Sequence, residues 1–159
     1  MSCAHCGKGP VTVRIEHAHG AVRDYCGAVC CRSDCPAAPE PFVVNIPKAS
    51  SENEAYAATL FSGTLEFKLI HLKDGEDIPT EVHTTADQFF RVEEGKVRIV
   101  VGCGKETIEL FEGEACVIPK GTHHRVVNAD NGAPAKLTTL YAPAQHPVGT
   151  VYKTRADAL

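Results

Sequence analysis

Four polar side chains crowd the stretch IPTEVHTTADQFF, residues 78–90, where a strand, a turn and a second strand would otherwise be apolar. In an extended TEVH segment the side chains at 81 and 83 share one face, because the strand period is two, so Glu81 and His83 can reach one ion. Gln88, Phe90 and Val92 share a face of the following strand. On HHRVV either His123 or His124 faces inward, but not both. One carboxylate, one amide oxygen and two imidazoles make a mixed nitrogen and oxygen set, which suits divalent Mn, Fe, Zn, Co or Ni rather than a soft ion. Such a set leaves coordination positions open to substrate or water. Glu81 has a second role open to it, as a catalytic acid or base beside the metal, and Gln88 can hydrogen-bond a ligand instead of binding the ion.

A second constellation lies upstream. Six of the eight cysteines fall in the first 35 residues. CAHC supplies C-x2-C at Cys3 and Cys6, and YCGAVC supplies C-x3-C at Cys26 and Cys30. Two short thiolate pairs flanking a ribbon, VTVRIEHAHGAVRDY, predict a structural zinc site closed by four thiolates. Cys31, Cys35, His5, His17 and His19 are alternative ligands for it. Disulfides compete with this reading but do not suit an intracellular chain, and no βαβ pattern surrounds a redox pair. So short a segment buries too little surface to fold alone, and metal supplies the missing stability.

The elements that must position these residues differ on the two sides of CPAAPEPF, residues 35–42, whose three prolines read as an extended joint. We place a cysteine-rich segment at 1–40 and a second domain at 41–159. In the second, FVVNI, TLEFKLIHL, FFRVEEG, KVRIVVG, KETIELF, EACVIP, HHRVVN and KLTTLYA are short β-rich runs punctuated by glycine or Asp/Asn, the pattern of a sandwich or small barrel. IVVGCGKETIEL is the clearest hairpin. The expected class is all-β, with almost no helical periodicity and no internal repeat.

Composition bounds the partners. The chain has 159 residues, 43% of them apolar, with a formal net charge of −4, and a pI near 6.0. That is one core with a short attachment and no electrostatic footprint for nucleic acid or anionic lipid. Within 1–40, Lys8, Arg14, Arg23 and Arg32 balance Glu16, Asp24, Asp34 and Glu40, so a protein contact fits the zinc segment better than a nucleic acid. No apolar run reaches the ~18 residues of a membrane span and no secretory leader is visible, so we expect a cytoplasmic protein.

GEACVIPKGTHHRVVN fits G-x5-P-x-G-x2-H-x3-N, the second cupin motif, at Gly113, Pro119, Gly121, His124 and Asn128. The first cupin motif, G-x5-H-x-H-x3/4-E-x6-G, is matched at Gly75, His83 and Gly95, with Glu81 in place of its first histidine and Gln88 in place of its glutamate. Residues 42–152 therefore resemble a small single-domain cupin. The resemblance implies a jelly-roll barrel, a divalent metal held by Glu81, His83, Gln88 and His124, and a homodimer. It also selects His124 over His123. Residues 3–35 resemble a treble-clef zinc finger. The tail YAPAQHPVGTVYKTRADAL is similar to that of cupins grouped as mannose-6-phosphate isomerase-like. Those sugar isomerases use the same residue types around zinc in another chain order, and they carry phosphate-holding elements not visible here.

Three functions follow: a metal-dependent isomerase, lyase or dioxygenase acting on a small oxygen-rich metabolite; a binding or sensing module whose zinc segment contacts a protein; or a structural protein that keeps only the barrel. His83 and His124 argue against the third.

Overall fold

The computed structural model of the chain describes residues 13–16, 22–25 and 41–159 apart from 103 and 105. The chain divides into two units, Met1–Pro41 and Phe42–Leu159. In the first, β1 (Val13–Glu16) pairs antiparallel with β2 (Val22–Tyr25), Val13 opposite Tyr25. This is the ribbon expected from VTVRIEHAHGAVRDY. Cys3, Cys6, Cys26 and Cys30 lie outside the described residues, as do Cys31, Cys35, His5, His17 and His19.

The second unit is the expected all-β jelly roll. Its strands are β3 (Ala57–Ser62), β4 (Glu66–Leu72), β5 (Asp77–Glu81), β6 (Asp87–Glu94), β7 (Lys96–Val101), β8 (Glu106–Phe111), β9 (Ala115–Ile118), β10 (His124–Asn128), β11 (Ala135–Ala142) and β12 (Val151–Tyr152). They form a four-stranded sheet, β5-β10-β7-β8, and a six-stranded sheet, β12-β3-β4-β11-β6-β9. Alternation decides what lies inside. On β7, Val97 and Ile99 are buried while Arg98 is exposed, and on β10 His124, Val126 and Asn128 are buried around exposed Arg125. The core joins Ile70, Leu72, Phe90, Val92, Val97, Ile99, Val126 and Leu137. The β7–β8 hairpin read from IVVGCGKETIEL is present, with Val101 opposite Glu106.

FVVNI and β3 depart from the sequence reading. FVVNI is not a strand: Asn45 caps a helix, α1 (Ile46–Glu52), by accepting from the Lys48 amide at 3.1 Å, and Pro47 sits in its first turn. Capping and an N-terminal proline outweigh the β-branched residues before them. The alanine-rich β3 was invisible to propensity and forms because β4 and β12 flank it. Helix α1 packs on β4, β11 and β6, with Lys136 Nζ donating to Ser51 O at 2.6 Å. That cover explains why every residue of β4 is buried. Among the described residues no helix is long and apolar enough to cross a membrane.

The closing residue of the second motif ties the loops together. Asn128 Nδ2 donates to the carbonyls of Leu72, Lys73 and Ala133 at 3.1, 3.0 and 2.8 Å, and its Oδ1 accepts from the Asp130 amide at 2.8 Å. Asn128→Ala leaves these buried groups unpaired, and we expect it to lower unfolding free energy by about 2–3 kcal/mol, read from the urea midpoint.

Candidate metal centre

The site begins with an irregularity in the β5–β10 ladder. His124 pairs with Glu81, yet Val126 pairs with Ile78, so β5 spends two residues, Pro79 and Thr80, opposite Arg125 alone. This is a β-bulge on an edge strand, a setting that tolerates proline. It changes the phase of β5, so that core residue Ile78 and Glu81, three positions apart, can both serve the interior. The strand ends at Glu81, and the expected TEVH strand therefore stops two residues early. His83 is held instead by its carbonyl, which accepts from the Gly121 amide at 2.8 Å. Gly121 has φ 80°, the left-handed region glycine adopts without steric cost.

Three donor atoms converge. Glu81 Oε1 lies 3.2 Å from His83 Nε2 and 3.3 Å from His124 Nε2, and one ligand atom from each residue falls within 4.8 Å of the others. His124 is 1% exposed and packs edge-on to Phe90, ring centroids 6.0 Å apart. Its Nδ1 lies 3.0 Å from the Thr122 carbonyl, which places a proton on Nδ1 and turns Nε2 toward the centre. Glu81 Oε1 and His83 Nε2 are buried and complete no hydrogen bond; their approaches to neighbours are close without donor alignment. Ser50 Oγ, His71 Nδ1, Glu93 Oε1 and Thr138 Oγ1 are also buried without a partner, but among the described residues two such atoms converge on a further ligand nitrogen here, and a carboxylate oxygen with two imidazole nitrogens is a donor set that suits a divalent cation. The residues fit the metal.

The other sequence candidates fall into place around this trio. Gln88 is in the same site: its Nε2 donates to Tyr141 Oη at 2.8 Å and Thr139 Oγ1 at 3.3 Å, which turns Oε1 toward His124 Nε2, 2.9 Å away, and with the His124 proton on Nδ1 that oxygen is a further candidate ligand atom. His123 is exposed, in keeping with the motif that selects His124 for the interior. Asp87 is exposed at the start of β6 and accepts from the Lys120 amide at 2.9 Å. His71 is buried on β4, with Nδ1 3.8 Å from a Glu54 carboxylate oxygen.

Beside the trio lies a cavity of about 310 Å³ whose lining includes Glu81, Lys68, Tyr141, His146 and Tyr152. Tyr141 meets His83 edge-on at 5.0 Å, and burial, with the charges of Glu81 and Glu66, pushes its phenol well above the ordinary range. Glu66, fully buried, accepts from the backbone amides of Gln145 at 2.8 Å and His146 at 2.9 Å, and sits 2.9 Å from His146 Nδ1. Burial and the Lys68 charge lower the His146 pKa against the pull of Glu66. None of these four residues stood out in the sequence. The available signal was strand phase: Glu66 and Lys68 fall in step with Ile70 and Leu72, and Tyr141 with Leu137 and Thr139.

Fold and site together define a jelly-roll barrel with a cluster of one carboxylate and two imidazoles that could hold a metal ion. Residues 68–141 match the family model described as Cupin domain. The Bacillus subtilis protein YrkC, itself uncharacterized, is 40% identical over 126 residues, covering 76% of this chain and 67% of that one. An uncharacterized protein of Acanthamoeba polyphaga mimivirus is 38% identical over 112 residues, covering 69% and 70%. A Bacillus halodurans protein of known crystal structure is 43% identical with a TM-score of 0.72, covering 76% of this chain and 94% of that one. The chain belongs to the cupin family.

The electrostatics of the metal-free trio give a pH signature. Burial opposes ionisation of Glu81, but His124 and His83 outweigh it and hold the carboxyl down at about 2 against its ordinary 4.5. Burial likewise opposes the charged form of His124, and Glu81 with the Thr122 carbonyl raises its pKa above 6.5. A depressed carboxyl stabilises the fold above its unfolded pKa, and a raised imidazole does so below its own. In chelator-treated protein we expect the urea-midpoint difference between wild type and His124→Ala to be largest between about pH 4.5 and 6.5. It shrinks as pH falls toward 2 and again as pH rises through the His124 pKa.

Proposed function

We propose that this chain is a divalent-metal cupin that acts on a small, polar, oxygen-rich metabolite. The observation that carries the reading is the pair of buried, unpartnered ligand atoms, Glu81 Oε1 and His83 Nε2, facing His124 Nε2 at the edge of a cavity. A divalent ion held by these residues supplies Lewis-acid polarisation of ligand oxygens. Glu81, held ionised by its two histidine neighbours, binds the ion or takes a proton from the ligand. Thr122 fixes the His124 ring through Nδ1, and Gln88 Oε1 beside Nε2 joins the ligand set or hydrogen-bonds the metabolite. Tyr141 closes one wall, excluding water and keeping its proton.

The chemistry open to such a centre is isomerisation, elimination or dioxygenation, and a site with orphaned ligand atoms is better matched to these than to a purely structural barrel. A structural zinc at Cys3, Cys6, Cys26 and Cys30 remains part of the proposal on the sequence spacing alone, with the segment offering a surface to a protein partner.

Metal analysis separates the two sites. Wild-type protein is expected to hold two ions, His124→Ala to lose the barrel ion, and Cys26→Ser to lose the zinc. Unchanged metal in His124→Ala refutes the barrel centre. Glu81→Gln separates the roles of that residue: retained metal with lost turnover of the co-purified ligand identifies proton transfer, whereas metal loss identifies ligation.

A further inference from the structure

Lys68 presents an unbalanced charge. It lies on β4, 5% exposed, and lines the cavity beside the metal centre. The ion pairs among the described residues leave it out. The nearest acidic residue on its own strand face, Glu66, is engaged by two backbone amides, by the Thr59 hydroxyl and by the His146 ring. Glu81, on the far wall, belongs to the metal trio. What flanks the Lys68 ammonium is aromatic: its Nζ lies 5.9 Å from the Tyr141 ring centroid and 5.4 Å from that of Tyr152.

The magnitudes show that this arrangement is incomplete. Cation–π contacts of that kind are weak beside the hydration that a largely buried ammonium gives up. Burial accordingly lowers the Lys68 pKa, opposed by Glu66 and Glu81. A lysine kept at such a position, with its charge directed at a cavity rather than at a protein carboxylate, is best balanced by an anion that arrives with the ligand.

We propose that Lys68 forms an anion subsite taking a carboxylate of the ligand, whose remaining oxygens face Glu81; the substrate class is then a small hydroxy- or oxo-carboxylate. The position of the other end rests on the metal reading above. A carboxylate is preferred to a phosphate because, among the described residues, Lys68 is the one lysine or arginine in the lining, and phosphate sites recruit several donors, a guanidinium fork or a helix N-terminus. A cavity of about 310 Å³ is at the small end of ligand pockets and matches a compact metabolite.

The test measures metal content and calorimetric binding on the same samples of full-length wild type, Lys68→Met and Lys68→Arg. The probes are malonate, malate, tartrate and pyruvate, with threitol as a neutral polyol and inorganic phosphate. At least one carboxylate is expected to bind wild type, with affinity falling about tenfold or more in Lys68→Met and partly restored in Lys68→Arg, while metal content stays constant. Lys68→Met is also expected to melt at or above the wild-type temperature, because it removes an unpaired buried charge. The proposal is overturned if Lys68→Met binds the carboxylates as wild type does, if only phosphate or threitol binds, if no probe binds, or if Lys68→Met unfolds and so reveals a structural lysine. Failure of the metal reading shows separately, as wild type without a barrel ion. Carboxylate binding that still depends on Lys68 would then uphold the subsite alone.

Discussion

Strand β5 carries one more residue than β10 between the Ile78–Val126 and Glu81–His124 pairs, and the chemistry of the barrel hangs on that extra residue. In an unbroken ladder, positions 78 and 81 have opposite parity, so a strand that buries Ile78 would turn Glu81 to solvent. The bulge lets one short edge strand contribute to the apolar core at one end and to a carboxylate cluster at the other. Pro79, which a central strand would reject, is admitted because the edge and the bulge need no ladder hydrogen bond there. His124 depends on the same pairing from the opposite side, since its partner across β10 is the residue that the bulge has turned inward.

Around that pairing the interior sorts its polar groups into two kinds. Glu66 and Asn128 are almost completely buried and satisfied, each by several partners on different segments. They serve the architecture: Glu66 fixes the segment after β11, and Asn128 joins the ends of β4 and β10 to the loop that follows. Glu81 Oε1 and His83 Nε2 are buried and unsatisfied. The contrast is informative because the same barrel shows that it can satisfy a buried carboxylate when satisfaction is the purpose.

Much of this was legible in the sequence, and the reason is periodicity. Strand phase required one of His123 and His124 to face inward, the place of His124 in GTHHRVVN chose between them, and the structure buries His124 and exposes His123. Glu81 and His83 lie side by side, although the reason given, a continuous TEVH strand, holds only as far as Glu81. A bulge leaves no mark in an alternating pattern except the proline that tolerates it. Lys68 and Glu66 were hidden because TLEFKLIHL reads as an ordinary half-exposed strand, whereas α1 covers its outer face and makes charged residues on the inner face interior. The helix itself was obscured by the valines of FVVNI, which outvoted a cap and a proline. His146 belongs to a loop, where no periodicity exists to place a side chain, and only the distant Glu66 carboxylate determines where it sits.

The tail of the described chain is secured from far upstream. Arg155 donates to Asp77 Oδ1 at 2.8 Å while Arg125 holds Oδ2 at 2.6 Å, and Tyr152 on the adjoining β12 flanks Lys68. The three residues of the metal trio all precede residue 125, whereas Tyr141, His146 and Tyr152 of the cavity wall come later. A ribosome therefore releases the whole candidate trio before Tyr141, His146 and Tyr152, although Tyr56, Lys68 and Ile78 of the same chamber come earlier still. Vectorial synthesis thus leaves the wall built by Tyr141, His146 and Tyr152 among the parts of the chamber that are added last.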